Sequence, residues 1–385
     1  MRYVTNRIRN ALGAVVLVSI LGAGAGAAAQ QPSKPMRQEA PAAEAPRALP
    51  SDAEIQAALK EAHAQFRKLR EGKNADYIPI LAKVNPNLFG IALVTVDGRV
   101  FQVGDAKTEY SIQSVAKPFT LALVLEEKGP KFVEDKIGLN ATGQAFNSIV
   151  AVEMNKEQQA AGNPMVNAGA IATVSQVAAA SPEERWKKID GNLDRFAGRD
   201  LQLDPEVYKS ETDTNTRNQS ITRLLEAYEV LGSDPEGSLD AYTRQSSVNV
   251  NTVDLAMMGA TLANGGVNPA DGQQVVSPET AQRVVAQMAT NGLYETSGEW
   301  LTDVGAPAKS GVGGGIVAVV PGKFGIAAFS PPLDEAGNSV RAQRAIELVV
   351  NKLHANLFAS TPVKAPATGG AGKSGQPGSV PPNRR

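Results

Sequence analysis

The chain contains no cysteine and only two histidines, His63 and His354, among 385 residues. Lacking cysteine, it has neither a disulfide framework nor a cysteine for lipid attachment. Two distant histidines make a poor ligand set, so no metal and no cofactor are expected. They also leave a Ser-His-Asp triad poorly supplied, because each falls in a predicted amphipathic helix where a structural role suffices. An excess of one charge is missing as well: 38 Lys and Arg stand against 39 Asp and Glu. With no basic cluster in the folded region, a nucleic-acid partner is not expected.

Extended apolar sequence is confined to the N-terminus. Arg2, Arg7 and Arg9 precede an apolar stretch from Ala11 to Leu21, and Ala27-Ala28-Ala29 stands before Gln30. Residues 1–29 therefore read as a cleavable signal peptide, which predicts export, in a bacterium to the periplasm. An uncleaved anchor is the alternative, although the Gly/Ala-rich second half is weakly apolar for a span. After cleavage no stable membrane insertion is expected. Residues 30–50, rich in Ala, Pro and Gln, read as a disordered linker, and residues 361–385 as a disordered Pro/Gly/Ser/Ala-rich tail. The span 51–360 is long enough for one sizeable core.

What the chain does have is Gln113-Ser114-Val115-Ala116-Lys117-Pro118. Residues from Ser114 to about Lys128 are helix-compatible and largely apolar, and Pro118 is tolerated in a first turn. Three positions separate serine from lysine, which sets both side chains on one face. A serine needs a base to become a nucleophile, and a buried lysine with a depressed pKa can serve.

Around this motif the pattern alternates between helix and hairpin. Ser51 to Arg70 reads as a helix with a Ser51/Glu54 capping box, ended by Gly72. Phe89–Val96 and Arg99–Val103 flank Asp97-Gly98, a strong hairpin signal. Residues 129–166 read as irregular. Ala168–Ala180 reads as a helix capped by Asn167, and further helices are expected from Ser181, around Ile221–Leu231, over Thr252–Asn264 and over Ser277–Asn291. Gly315–Val320 and Phe324–Phe329 form a second hairpin around Pro321-Gly322-Lys323, followed by a helix over Ser339–Leu357 that includes His354. Strands at both ends of the domain most simply join one antiparallel sheet flanked by helices, with an all-helical lobe between. That is an α+β fold of the β-lactamase/transpeptidase-like kind, with a cleft between sheet and lobe.

Lys309-Ser310-Gly311 precedes the second hairpin. A sheet-edge Lys-Ser/Thr-Gly downstream of Ser-x-x-Lys is the arrangement of penicillin-recognising serine enzymes. The glycines that follow let a substrate approach the backbone. A strand rather than a helix comes next, so they do not form a phosphate-binding loop.

With these two motifs the chain resembles the serine-dependent glutaminases, which share the β-lactamase-like fold. The resemblance rests on Ala75-Asp76-Tyr77-Ile78-Pro79, the Gln113–Pro118 motif, Asn163-Pro164-Met165-Val166-Asn167-Ala168-Gly169-Ala170, Ser210-Glu211 and Arg217-Asn218. It extends through Ala260–Gly266, Ala308–Gly315, Phe329–Asp334 and Gly337-Asn338-Ser339. Together these stretches cover roughly residues 70 to 355, and their joint occurrence in order is highly specific; residues 143–162 match weakly.

The resemblance implies Ser114 as nucleophile, Lys117 as base, Tyr294 as a partner in proton transfer and Tyr77 as a residue lining the site. It implies that Asn167, Glu211, Asn218 and Tyr242 hold the amino-acid end of the substrate, L-glutamine, and that Val312 supplies an oxyanion-hole N–H. Glu211 suits an ammonium, and the two asparagines suit a carboxylate. A homodimer or homotetramer is implied too, whereas export departs from a largely intracellular family. Two other readings fit Ser-x-x-Lys and export: a serine β-lactamase or peptidoglycan peptidase, and a non-catalytic sensor of glutamine or β-lactams. The first lacks a Ser-Asp-Asn in the middle lobe. The second does not need Ser114, Lys117, Tyr294 and Lys309 together.

Overall fold

The computed structural model describes residues 49–155 and 161–360. The expected signal peptide, the tail and all of the linker except residues 49 and 50 lie outside the described residues. Among the described residues eight strands form: β1 Gly90–Thr95, β2 Val100–Gly104, β3 Tyr110–Ser111, β4 Gln202–Leu203, β5 Val248–Val250, β6 Ala308–Ser310, β7 Gly315–Val320 and β8 Phe324–Phe329. Five of them make one antiparallel sheet in the order β2-β1-β8-β7-β6. The N-terminal hairpin β1-β2 thus pairs with the C-terminal hairpin β7-β8 through β1 and β8, from Gly90 opposite Phe329 to Thr95 opposite Phe324.

Strands β1, β7 and β8 are buried at every position, which is why they read as continuous apolar runs rather than as alternating ones. Ile91, Leu93, Ile316 and Ile326 face the terminal helices Asp52–Phe66 and Val340–Lys352. Ala92, Val94, Val317 and Ala327 face the lobe. The helix Thr252–Ala263 lies on that second face at backbone distance: a Cβ on Gly325 would stand 2.2 Å from Ala260 N and 2.4 Å from Ala256 O. Only glycine allows this approach.

Several expected boundaries move. The first helix stops at Phe66, before Gly72, and the last stops at Lys352, so that His354 follows it in a left-handed conformation (φ 49°). The stretch 129–166 is not irregular throughout: Pro130–Lys136 and Ile149–Met154 are helices of seven and six residues, too short to show a period. The expected helix around Ile221–Leu231 is observed at Thr216–Ala227, and the helices Pro205–Thr214 and Pro235–Ser246 were not anticipated. The lobe expected to be all-helical also holds a small sheet, β3-β5-β4. Its strands of two or three residues carry no alternation to recognise. Among the described residues no helix is long and apolar enough to cross a membrane.

Candidate active site

The small sheet and the large one together aim Ser114. β3 pairs with β5 through Tyr110–Val250 and Ser111–Asn249, and Ile112 N–H donates to Val248 O at 2.8 Å. The chain then turns at Gln113, whose φ of 52° is left-handed, a conformation that costs a non-glycine residue about 1–2 kcal/mol. Ser114 follows in a 3-10 turn over Gln113–Ala116, ahead of the α-helix Lys117–Lys128. The helix therefore begins three residues later than the sequence pattern placed it. Gln113 Nε2 donates to Ser111 Oγ at 3.1 Å and to Glu211 Oε1 at 2.5 Å, which ties the turn to the Pro205–Thr214 helix.

Lys117 Nζ lies 2.8 Å from Ser114 Oγ and donates to Asn167 Oδ1 at 2.8 Å. The lysine is 2 % exposed, and burial pulls its pKa down to about 7 while the Glu211 carboxylate acts the other way. Near neutral pH an amine in this position can take a proton from the adjoining hydroxyl.

Asn167 is not the helix cap that its sequence position suggested. The N-cap of Asn167–Ser175 is Val166, and Asn167 is the first helical residue. Its N–H donates to Phe146 O at 2.8 Å and its Nδ2 to Asn218 Oδ1 at 3.0 Å, so the side chain links Lys117 to Asn218 across the lobe.

Ser114 and Asn167 open onto a cavity of about 270 Å³, also lined by Tyr77, Glu211, Asn218, Tyr242 and Val312. That is near the lower end of the range for small-molecule sites. Burial pushes the Glu211 carboxyl up to about 7, against the opposing effects of the Gln113 hydrogen bond and the Lys117 charge. Tyr242, 4 % exposed with its ring 5.7 Å from Lys117 Nζ, has a phenol held well above its ordinary range by burial. Tyr77 is half-exposed at the rim. Val312 belongs to the turn between β6 and β7, closed by a bond from Gly314 N–H to Gly311 O.

Tyr294 and Lys309 stand behind the nucleophile motif. Tyr294, also left-handed (φ 57°), donates its hydroxyl to Ser310 O at 3.3 Å and is hydrogen-bonded to Ser114; burial still pushes its pKa up to about 12. Lys309 is fully buried. Its Nζ donates to Gly292 O and Ser310 O, each at 2.8 Å, and lies 4.1 Å from the Tyr294 ring centroid. Burial, followed by the neighbouring Lys117 charge, lowers its pKa well below the ordinary range.

All nine residues singled out from the sequence thus converge: seven line the cavity, and Lys117 and Tyr294 adjoin Ser114. Sequence reasoning missed Gln113 as a partner of Glu211, Phe146 with its ring 4.6 Å from Tyr294, and Arg217, which lines the cavity and donates to Asn147 O at 2.7 Å. Gln113 and Arg217 each stand next to a residue that was picked, but which way their side chains point depends on distant helices. Among the described residues there is no group of three or more His, Cys, Asp or Glu able to hold a metal.

An antiparallel sheet packed on a helical lobe, with a serine–lysine pair at a helix start and a second lysine on the sheet edge, is the design of β-lactamase-like serine hydrolases. A family model described as Glutaminase matches residues 72–358. A glutaminase of Colwellia psychrerythraea is 51% identical over 309 residues, which is 80% of this chain and 99% of that one. The solved structure of the probable glutaminase ybaS superposes with a TM-score of 0.79 at 46% identity, covering 81% of this chain and 100% of its own. That of Mglu in its glutamate form gives 0.74 at 40% identity, covering 78% and 69% respectively. The chain belongs to the glutaminase family, and its fold is the β-lactamase-like fold of those relatives.

Proposed function

We propose that this glutaminase hydrolyses L-glutamine to L-glutamate and ammonia through a γ-glutamyl ester on Ser114. The observation that carries the mechanism is Lys117 Nζ at 2.8 Å from Ser114 Oγ, beside a cavity that also presents the Glu211 carboxylate. Glu211 takes the α-ammonium, and Asn218 and Tyr242 face the α-carboxylate, with Tyr77 closing the rim. Held in this way, the side-chain amide carbon lies over Ser114 Oγ. The neutral Lys117 amine accepts the serine proton as the side-chain amide carbon, Cδ, is attacked. The oxyanion is met by the backbone N–H groups of Ser114 and Val312. Tyr294 relays that proton from the Lys117 ammonium to the leaving nitrogen, which departs as ammonia and leaves Lys117 neutral again. A water molecule then gives its proton to Lys117, attacks the ester, and releases glutamate with the serine restored. That a solved relative, Mglu, is described in a glutamate form supports glutamate as the product.

The test is ammonia release from L-glutamine by the wild type and Ser114→Ala, with L-asparagine and a chromogenic β-lactam as controls. Turnover of glutamine that disappears in the variant, with the β-lactam untouched, is the expected outcome. Hydrolysis of the β-lactam but not of glutamine overturns the assignment, and inactivity on every substrate points to a sensor.

Export is part of the same reading, supported by the charged, apolar and small-residue order of residues 1–29; fractionation of a producing cell, with N-terminal sequencing of the mature chain, tests it. A homodimer or homotetramer is proposed from family membership, and light scattering of the purified protein decides between them.

A further inference from the structure

Arg341 lies in the first turn of the thirteen-residue helix Val340–Lys352 and is 1 % exposed. Its guanidinium donates to the backbone carbonyls of Pro86 and Asn87 and sits 5.7 Å from the Phe89 ring centroid. Its Nε has no hydrogen-bond partner, and no carboxylate among the described residues pairs with it. A buried guanidinium with no carboxylate in ion-pair contact is costly, and the Asp105 charge offsets that cost only in part.

It adjoins a cavity of about 500 Å³ whose walls include Arg70, Gly72, Lys73, Asp76 and Pro332. None of these residues lines the cavity at Ser114. Three cations against the single carboxylate of Asp76 leave the walls with a net charge of two positive. The N-terminal end of the Val340–Lys352 helix adds partial positive charge on the same side. One wall is held in place by reciprocal backbone bonds, Lys73 N–H to Leu333 O at 3.0 Å and Leu333 N–H to Lys73 O at 2.8 Å. Burial and the Arg70 charge disfavour the charged form of Arg341, the Asp105 charge acts the other way without cancelling them, and an anion in the cavity would offset the remainder.

We propose that this second cavity binds a small dianionic oxyanion, held between Arg70, Lys73 and the helix start over Arg341. Two positive charges call for a dianion: the exposed Arg70 and Lys73, which here bond to Leu69 O and to the Asp76 carboxylate, can turn to it while Arg341 supplies fixed charge from below.

The probe is sulfate, titrated at constant ionic strength against formate while thermal unfolding of the purified protein is followed. The expected result is a saturable rise in midpoint of about 2–4 °C with sulfate and none with formate. In Arg341→Met and in the double variant Arg70→Gln/Lys73→Gln the saturable rise disappears. If Arg341→Met does not fold, the double variant decides, because both of its side chains are exposed. A rise that does not saturate, that persists in the double variant, or that is absent from the wild type overturns the proposal. The first two are what general salt stabilisation by sulfate would produce.

Discussion

At the scale of single residues the site is governed by two groups displaced toward neutrality from opposite sides. Lys117 comes down to about 7 and Glu211 goes up to about 7, each driven chiefly by burial. The signs decide the pH profile. Lys117 acts as a base only when deprotonated, so its working fraction grows as pH rises through about 7. Glu211 pairs with an ammonium only when ionised, so its working fraction grows in the same direction. The acid limb of kcat/KM is therefore expected to approach a slope of two, with apparent pKa values that belong to the pair. Glu211→Gln tests this in a single measurement. It removes one titration, so the limb falls to a slope of one, and it removes the negative charge that raises the Lys117 pKa, so the midpoint moves to lower pH. Losing a charge-assisted bond to the substrate should also raise KM by about tenfold to a hundredfold. An unchanged slope in the variant would mean that Glu211 does not titrate in this role.

At the scale of elements the site depends on how closely helix and sheet approach. Gly325 and Gly259 let the Thr252–Ala263 helix rest on β8 and β7, and a methyl on Gly325 would fall 2.2 Å from Ala260 N. Because the obstruction is backbone, it cannot swing aside. Gly325→Ala should lose about 1–3 kcal/mol or more, read as a lower urea midpoint at unchanged slope. A variant as stable as the wild type would show that helix and sheet part without cost. The elements that were legible in the sequence are those whose signal is local: the Asp97-Gly98 and Pro321-Gly322-Lys323 hairpins, and the helix starts at Ser51, Ser181 and Ser277 with their side-chain caps. The helices Pro130–Lys136 and Ile149–Met154 were not legible, because one or two turns against a larger body need no amphipathic stripe of their own. The cap expected at Asn167 failed for a different reason. Its side chain is worth more to Lys117 and Asn218 than to its own helix start.

At the scale of the whole molecule, the folded domain closes on itself. The first and last helices lie together on one face of a sheet built from both ends of the domain. A chain limited to residues 49–360 is therefore expected to keep kcat and KM within about twofold and to unfold as cooperatively as the full chain. Circular dichroism melting and ammonia release check both points. Activity lost on removing residues 1–48 or 361–385 would assign those segments a part in the site.

The β1-β2 and β7-β8 hairpins, the Ser114–Lys117 and Lys309–Gly311 motifs and the family they resemble are legible in the sequence alone, because apolar runs, turn chemistry and short spacings act over a few residues. Only the tertiary structure decided that Gln113 meets Glu211 across 98 positions, that Asn167 bridges Lys117 and Asn218, and that Lys309 sits beneath Tyr294. It alone also decided the desolvation that brings the Lys117 pKa down, and the Glu211 pKa up, to about 7. Desolvation and proximity depend on the atoms that surround a group, and those atoms come from elements far apart in the chain.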